Sequence, residues 1–567
     1  MKRSRSRFDD RLSGVASSAL SRRRLLQGGA GLAAGAALTG LTDTASTDAV
    51  GAIIQGEGKG GTLVIGRGED AQSLDPIRSG SFASGDTMAL IYDTLTALDM
   101  DGNVVPNLAE SWEISQDAKE YTFILREGIQ FHDGTVLDAN AVKAHFDRTI
   151  DPNVAGRSAS WIDQLQETRV QDPRTVTLVL ENPWAPLLAT LPVSAFGIPS
   201  PTAVTAAGDD FGQRPVGSGP FMFKEWIPGD RITLAKNPNY RSFLPYVENK
   251  GAPFLDEVVW RVIPETQSLI AALEAGEIHL VNLPPQHVRS FTDRSGYTTY
   301  SKPEAATLTN FVEFNFFKPP FDDLKVRQAF AHAIDVDTII ATVMEGQAVR
   351  NFCFMPVGLP GWGGTACEEH GYGYDAERAN ALLEEAGWVD SNGDGVREKD
   401  GQALEVTMMT FSTDPFRRVV EVMQGYAAEV GFQMTIETLE VGAELATISL
   451  EDNPTNEDLI NWGWPTSHLL YMMTHSDQPL GRYRQSNGAN VARFEEVINQ
   501  TLAELDQEKR AALYAEAETL LLQDAAGVPL YSDIYTYAAP DKVQGFAIGP
   551  LNSSSYGILV LQDTYIA

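Results

Sequence analysis

Positive charge is scarce in this chain. Lys and Arg number 43 against 76 Asp and Glu, for a formal charge of −33 at neutral pH. Such a surface repels phosphate backbones and anionic lipid, so nucleic acid is not an expected partner. Cysteine is nearly absent, with only Cys353 and Cys367. The eight histidines are scattered without metal-site spacing. There is no HExxH, no GxSxG and no GxxxxGK[ST], so the usual metallopeptidase, serine hydrolase and nucleotide-cleaving constellations are missing. The expectation is a protein that is not an enzyme, with no cofactor and no metal site. Beyond the N-terminus no run approaches the ~20 apolar residues that span a bilayer, so direct membrane insertion is not expected either.

What is present is ordinary globular composition, 43% hydrophobic and 21% charged over 567 residues, enough chain for several domains. Residues 1–52 read as a leader. SRRRLLQ (21–27) sets Arg22 and Arg23 ahead of Leu25 and Leu26, and a charge-free Gly-, Ala- and Leu-rich run follows to Thr42. This is the pattern of a twin-arginine export signal with a weakly hydrophobic core. Its removal takes away eight basic and four acidic residues and leaves the remainder more acidic. No cysteine lies near it for lipid anchoring, so a periplasmic, exported monomer is expected. An oxidising compartment favours a Cys353–Cys367 disulfide over two free buried thiols. Residues 53–61 contain GxGxxG, but the strand-like TLVIG (62–66) follows the glycines instead of preceding them. That order fits a linker and not a dinucleotide site.

The remainder reads as a mixed α/β chain. A loop over 73–85 leads to a helix with Met88, Ile91, Tyr92 and Leu95 on one face. LAESWEI, YTFILREGIQF and TVTLVLEN read as strands, and Asp138 caps a helix bearing Val142, Phe146 and Ile150. GSGPFMFKEWIPGDRITLAKNPNY (217–240) reads as a hairpin about Pro228-Gly229-Asp230, with Gly217 and Gly219 allowing tight turns and Phe221, Phe223 and Trp226 as core aromatics. Val326, Ala329, Phe330 and Ala333 have helical spacing. Asp375 caps AERANALLEEA, which ends at Gly387. LEVTMMTF, PFRRVVEVMQGYAAEVG and FQMTIETLE form strand, helix and strand, a βαβ unit. One long helical pattern over 493–524 precedes a returning strand, VPLYSDIYTYAA.

Four blocks carry a resemblance: NLAESWEISQDAKEYTFILREGIQFHDGTVLDANAVKAHFDR (107–148), the 217–240 hairpin, FNFFKPPFDDLKVRQAFAHAID (314–335) and YDAERANALLEEAGW (374–388). Their order and spacing resemble the family 5 extracellular solute-binding proteins of ABC importers, the dipeptide-, oligopeptide- and nickel-binding group, from about residue 62 to the end. The resemblance implies a periplasmic-binding-protein fold of two α/β lobes on a hinge, with an extra domain inserted in the first lobe. It implies first-lobe segments at 53–95 and 215–308, the inserted subdomain at 96–214, the second lobe at 309–527 and a return to the first at 528–567. It also implies a peptide or peptide-like solute held between closing lobes and passed to ABC permease subunits.

For the ligand site, NWGWPTSHLL (461–470) follows a strand-like run. Trp462 and Trp464 alternate through Gly463 and either line the pocket or belong to the core, while Ser467 and His468 offer hydrogen bonds. By resemblance, SGSFASGD (79–86) meets the ligand from the other lobe through Phe82 and Ser84. Two departures matter. The acid that peptide binders carry just after the Trp-Gly pair is replaced by Pro465-Thr466-Ser467-His468. The arginine that dipeptide binders carry after the 404–411 strand is replaced by Thr410, Phe411, Ser412 and Thr413. The ligand is therefore expected to be something other than a plain dipeptide, with an opine, sugar derivative or metal chelate as the alternative and a secreted hydrolase further behind. His468, Met472, Met473 and His475 keep a chelate in view. DSNGDGVRE (390–398) begins like a calcium loop, but Gly401 stands where a bidentate Glu belongs, which reads as an exposed turn. CEEH (367–370) reads as a solvated loop.

Overall fold

The computed structural model describes residues 59–78, 81–154, 156, 158–306, 309–316, 318–356, 366–412, 414–439, 459–464, 470–471, 475, 488–551 and 559–567, with the backbone alone for 82, 160, 305, 366, 368 and 459–464. The export-signal reading lies outside these residues, as do Ser467, His468, Met472 and Met473.

Alternating apolar residues build three principal sheets. The first has seven strands in the order Tyr297–Ser301, Thr536–Pro540, Leu280–Asn282, Thr62–Arg67, Glu257–Val262, Arg231–Lys236, Phe221–Ile227. Its centre is parallel: Ile65 pairs with Leu280 on one side and Trp260 on the other. The second has six strands in the order Ala348–Arg350, Gly527–Asp533, Thr309–Phe314, Leu459–Trp464, Glu405–Phe411, Gln433–Leu439. Glu405–Phe411 and Gln433–Leu439 run parallel about the helix Phe416–Glu429, which is the βαβ unit read from the sequence. Between the first strand of the first sheet and the rest of it, the chain forms a separate four-stranded antiparallel sheet, Ala109–Ile114, Glu120–Leu125, Thr175–Leu180 and Leu165–Asp172 in spatial order.

Each sheet packs on its own core. Tyr121, Phe123 and Leu125 alternate into the small sheet's core, where Phe146 of helix Ala139–Ile150 stacks on Phe196. Asp138 caps that helix, its carboxylate accepting from the amides of Asn140 and Ala141. In the second sheet's core Val326, Ala329, Phe330 and Ala333 of helix Leu324–Ala333 are all buried. Asp375 caps Ala376–Glu385, and Gly387 beyond it has a φ of +89°. Cys353 and Cys367 are joined in a disulfide with Cα atoms 5.3 Å apart. Beside it Glu518, buried in helix Gln507–Gln523, accepts from the amides of Phe354 (3.1 Å) and Met355 (2.6 Å).

The hairpin takes the strands Phe221–Ile227 and Arg231–Lys236, turning at Gly229 with a φ of +73°. Phe221 is buried, but Phe223 and Trp226 are only half-buried, and the Trp226 indole donates to Asp70. Gly217 and Gly219 have another role than turning. A Cβ on Gly217 would lie 2.1 Å from the Ile91 carbonyl oxygen, and one on Gly219 would lie 2.6 Å from the Ile91 carbonyl carbon. Both glycines let the hairpin entry pass directly over the end of helix Phe82–Ile91.

Three sequence expectations are corrected. That helix starts at Phe82, inside the expected loop, because Ser81 caps it; it ends at Ile91, so Leu95 lies outside it. The 493–524 pattern is two helices, Val491–Ala503 and Gln507–Gln523, since Asp506 turns its carboxylate to the amides of Glu508 and Lys509 and starts a new helix. The strand Gly527–Asp533 belongs to the second sheet, so the chain returns to the first between Asp533 and Thr536 and not at 528.

Candidate functional site at the facing sheet edges

The chain passes between the two large sheets twice, from Ser301 to Thr309 and from Asp533 to Thr536. The register shows which sheet edges these crossings join. In the second sheet Thr309 pairs with Trp464 on one side and Ser532 on the other, so the end of strand Leu459–Trp464 stands beside both crossings. In the first sheet Asn282 ends its strand opposite Tyr537, one residue past the second crossing, and Arg67 ends the neighbouring parallel strand. Residues beyond the carboxyl ends of such strands line ligand crevices in open α/β sheets.

The first edge is organised by Arg67. Its Nη1 donates to the Ala83 carbonyl (2.7 Å) and the Thr87 hydroxyl (3.0 Å), its Nη2 to Asp70 (3.4 Å), and its guanidinium lies over Trp260. Strand end and helix are thereby joined. Ala83 and Thr87 are one turn apart, and Asp86 shares their face of the helix. Burial pushes the Asp86 carboxyl up to about 7, although the Arg67 charge opposes this. Its Oδ1 is buried without a hydrogen-bond partner among the described residues.

The second edge carries Asp533, which accepts from Asn310 Nδ2 at 2.9 Å. Burial pushes Asp533 up to about 6, with the Asn310 bond opposing. Asn351 donates to Ser532 (2.8 Å) and Thr309 (3.4 Å). The Tyr535 phenol is pushed up by burial and then by the Asp533 and Asp86 carboxylates. Asn282 Oδ1, Asn310 Oδ1, Asn351 Oδ1 and Thr410 Oγ1 are, like Asp86 Oδ1, buried acceptors with no partner among the described residues. Arg67 Nε and Trp260 Nε1 at the first edge are buried and unpaired in the same sense, as are atoms of Arg78, His145, Thr168 and Ser242 elsewhere, so the unpaired atoms beside the crossings are candidates for contact with a polar solute and do not by themselves define its site.

The sequence-predicted residues are distributed unevenly about this region. The backbone of Trp462 and Trp464 is on the edge strand Leu459–Trp464. Phe82 opens the helix that carries Asp86. Ser84 is fully buried, and its hydroxyl accepts from the Gln72 amide (3.0 Å) while bonding the Ser81 hydroxyl, so it anchors the loop before the helix. His475, part of the proposed chelate cluster, is buried, contacts Asn499 Oδ1 at 3.1 Å and stacks on Tyr471. In the 390–398 turn the carboxylates of Asp390, Asp394 and Glu398 gather within 4.8 Å, Glu398 being the member that sequence reasoning missed. They accept from the amides of Gly393, Gly395, Val396 and Ser391, the hydrogen bonds of a self-contained exposed turn. Asp86 and Asp533 were also missed. Asp86 is the one acid in FASGDTMALI, and Asp533 ends the otherwise acid-free strand GVPLYSD.

Residues 103–477 match the family model "Bacterial extracellular solute-binding proteins, family 5 Middle". The chain belongs to this family. A curated relative, the glutathione-binding protein GsiB of Pectobacterium atrosepticum, is 26% identical over 495 residues, covering 86% of this chain and 91% of the relative. Among solved structures, NikA from Brucella suis in complex with Fe(III)-EDTA superposes with a TM-score of 0.76 at 28% identity, over 88% of this chain and 99% of that one. DppA from Helicobacter pylori in complex with the peptide STSA gives 0.74 at 26% identity, over 90% and 99%. The family 5 fold is therefore that of the periplasmic binding proteins. No helix among the described residues is long and apolar enough to cross a membrane.

Proposed function

We propose that this family 5 protein captures a peptide or peptide-like solute between the facing edges of its two large sheets and delivers it to the permease of an ABC importer. The first lobe comprises 53–95, 215–308 and the chain after Asp533. The inserted subdomain is 96–214 and the second lobe 309–533. The two crossings form the hinge. The protein turns nothing over; it reaches the periplasm by the twin-arginine route and acts as a monomer.

The observation that carries this reading is the set of buried, unpaired carbonyl and carboxylate oxygens Asn282 Oδ1, Asn310 Oδ1 and Asn351 Oδ1 on residues beside the crossings, with Asp86 Oδ1 on the helix that Arg67 ties to the first edge. A polar, hydrogen-bonding solute suits such a surface better than an apolar one. The names of GsiB and of the peptide-bound DppA support a peptide. A second reading, an opine or metal chelate, draws on the absence of an acid in Pro465–His468, where peptide binders of the family place one. The engagement of His475 by Asn499 weighs against its chelate form.

A thermal-shift screen of residues 53–567 against di- and oligopeptides, glutathione, opines, oligosaccharides and nickel-histidine tests this. Saturation at a hundred times Kd stabilises the folded state by about 2.7 kcal/mol. Shifts confined to opines, sugars or the chelate would contradict the peptide reading. Hydrolysis of any bound compound would contradict the transport reading.

A further inference from the structure

A cavity of about 400 Å³ lies between the four-stranded sheet and the hairpin of the seven-stranded sheet. From the first it takes the segment after strand Glu120–Leu125, with Arg126 and His132; from the second it takes the chain leaving the hairpin, with Tyr240, Arg241 and Phe243. None of Arg67, Asp86, Asn282, Asn310 and Asp533 lines it, so it is separate from the facing sheet edges. Two cations share one ring there. The guanidinium of Arg126 lies 4.2 Å and that of Arg241 5.7 Å from the centroid of Phe243. No other ring among the described residues carries two cations.

Neither arginine has an acid of its own. Among the described residues neither forms a salt bridge, and Arg126 donates only through Nε, to the Asn107 carbonyl (2.7 Å), which leaves both its Nη groups uncommitted. The acids that line the cavity are already engaged. Glu110 and Glu127 accept from the two Nη groups of Arg174, at 2.6 and 2.8 Å. Asp93 accepts from the Ser218 hydroxyl (2.8 Å) and the Tyr240 hydroxyl (3.2 Å). His132 is occupied by the hairpin entry: its Nε2 contacts the Gly219 carbonyl (3.0 Å), its Nδ1 accepts from the Gly217 amide (3.3 Å), and burial lowers its pKa, so it stays neutral. Burial also lowers the Arg126 pKa; Glu110 opposes this and the nearby Arg241 charge adds to it. Two like charges facing one cavity repel, and an anion between them offsets the repulsion.

We infer that Arg126 and Arg241 bind a small multivalent oxyanion in this cavity, at a site distinct from the one proposed for solute capture. A guanidinium presents parallel N–H donors that match the oxygens of a carboxylate or phosphate two at a time, and an aromatic ring beneath it fixes the plane of that fork. Phe243 serves both arginines in this way. The anion would be held from two sides, by Arg126 beside the four-stranded sheet and by Arg241 beyond the hairpin, so its binding fastens one to the other. Phosphate and a short dicarboxylate share the required chemistry, and the test separates them.

The test is calorimetric titration of the full chain at neutral pH and constant ionic strength with sodium phosphate, sodium succinate and sodium chloride. It uses the wild type, Arg126→Gln, Arg241→Gln and, as a control at an exposed arginine outside the cavity, Arg289→Gln. The expected result is saturable binding of phosphate, of succinate or of both, but not of chloride, weakened by about tenfold or more in Arg126→Gln and Arg241→Gln and unchanged in Arg289→Gln. Binding of phosphate alone or succinate alone would support the inference and assign the class of anion. Arg241 is exposed, so Arg241→Gln keeps the fold even where loss of the Arg126–Asn107 bond unsettles Arg126→Gln. Absence of saturable binding by either anion would overturn the inference. So would binding that Arg241→Gln leaves unchanged, or that Arg289→Gln weakens equally, which marks a diffuse ion atmosphere. Each of these results leaves the solute-capture reading standing.

Discussion

Glu518 offers the sharpest test of how the second lobe is held together. It is about 1% exposed, its carboxylate accepts from the amides of Phe354 and Met355, and these follow Cys353 of the disulfide. Burial outweighs the two amide bonds and raises its pKa from 4.5 to about 7. A raised folded-state pKa means that the folded protein holds a proton that the unfolded chain releases. The stabilisation is thus fully present below about pH 4.5 and is lost as pH rises through about 7. The shift corresponds to about 3 kcal/mol. Glu518→Gln is neutral throughout and retains one acceptor. It should match the wild type within about 1 kcal/mol at pH 5 and exceed it by up to about 3 kcal/mol at pH 8. Glu518→Ala strands both amides and should cost about 2–5 kcal/mol at either pH. Urea unfolding followed by tryptophan fluorescence and far-ultraviolet dichroism from pH 5 to 8 reads this directly. Parallel pH profiles for the wild type and Glu518→Gln would refute the reasoning.

Other substitutions probe single contacts. Gly217→Ala should cost about 3 kcal/mol, because its Cβ meets the Ile91 carbonyl at 2.1 Å, whereas Gly229→Ala, strained by a φ of +73° but facing open space, should cost about 1–2 kcal/mol; comparative thermal melting distinguishes them. Arg327 is 1% exposed and donates to the carbonyls of Phe321 and Asp524, so Arg327→Met should destabilise by about 3–5 kcal/mol in denaturant titration. Reducing the Cys353–Cys367 bridge, which closes a short loop, should lower stability by about 3 kcal/mol, measured as the difference in melting with and without reductant.

Local chemistry carried much of the fold in readable form. Asp138, Asp375 and the Pro228-Gly229-Asp230 turn announce themselves because capping and turning are decided within a few residues. The break between Ala503 and Gln507 was hidden because apolar spacing runs on through it, although Asp506 is a helix cap of the ordinary kind. VPLYSDIYTYAA reads as one strand because no glycine or proline marks the point where it leaves one sheet for the other. The site was less legible still. Asp86 and Asp533 are 447 positions apart, one on the helix Phe82–Ile91 and the other at the end of the strand Gly527–Asp533, and their standing at the sheet edges is set by sheet order and not by any motif. Ser84 is ambiguous because a serine at a helix start reads equally as ligand contact or loop anchor, and here its hydroxyl accepts from the amides of Gln72 and Ser73.

The most direct test of capture between two lobes is the interlobe distance. Spin labels at Gln267, exposed on the first-lobe helix Thr266–Glu274, and Glu421, exposed on the second-lobe helix Phe416–Glu429, allow it to be measured by double electron–electron resonance with and without saturating trialanine. The account predicts that peptide draws the distribution into a single, shorter distance. Bound peptide with an unchanged distribution would contradict capture by closure about the two crossings.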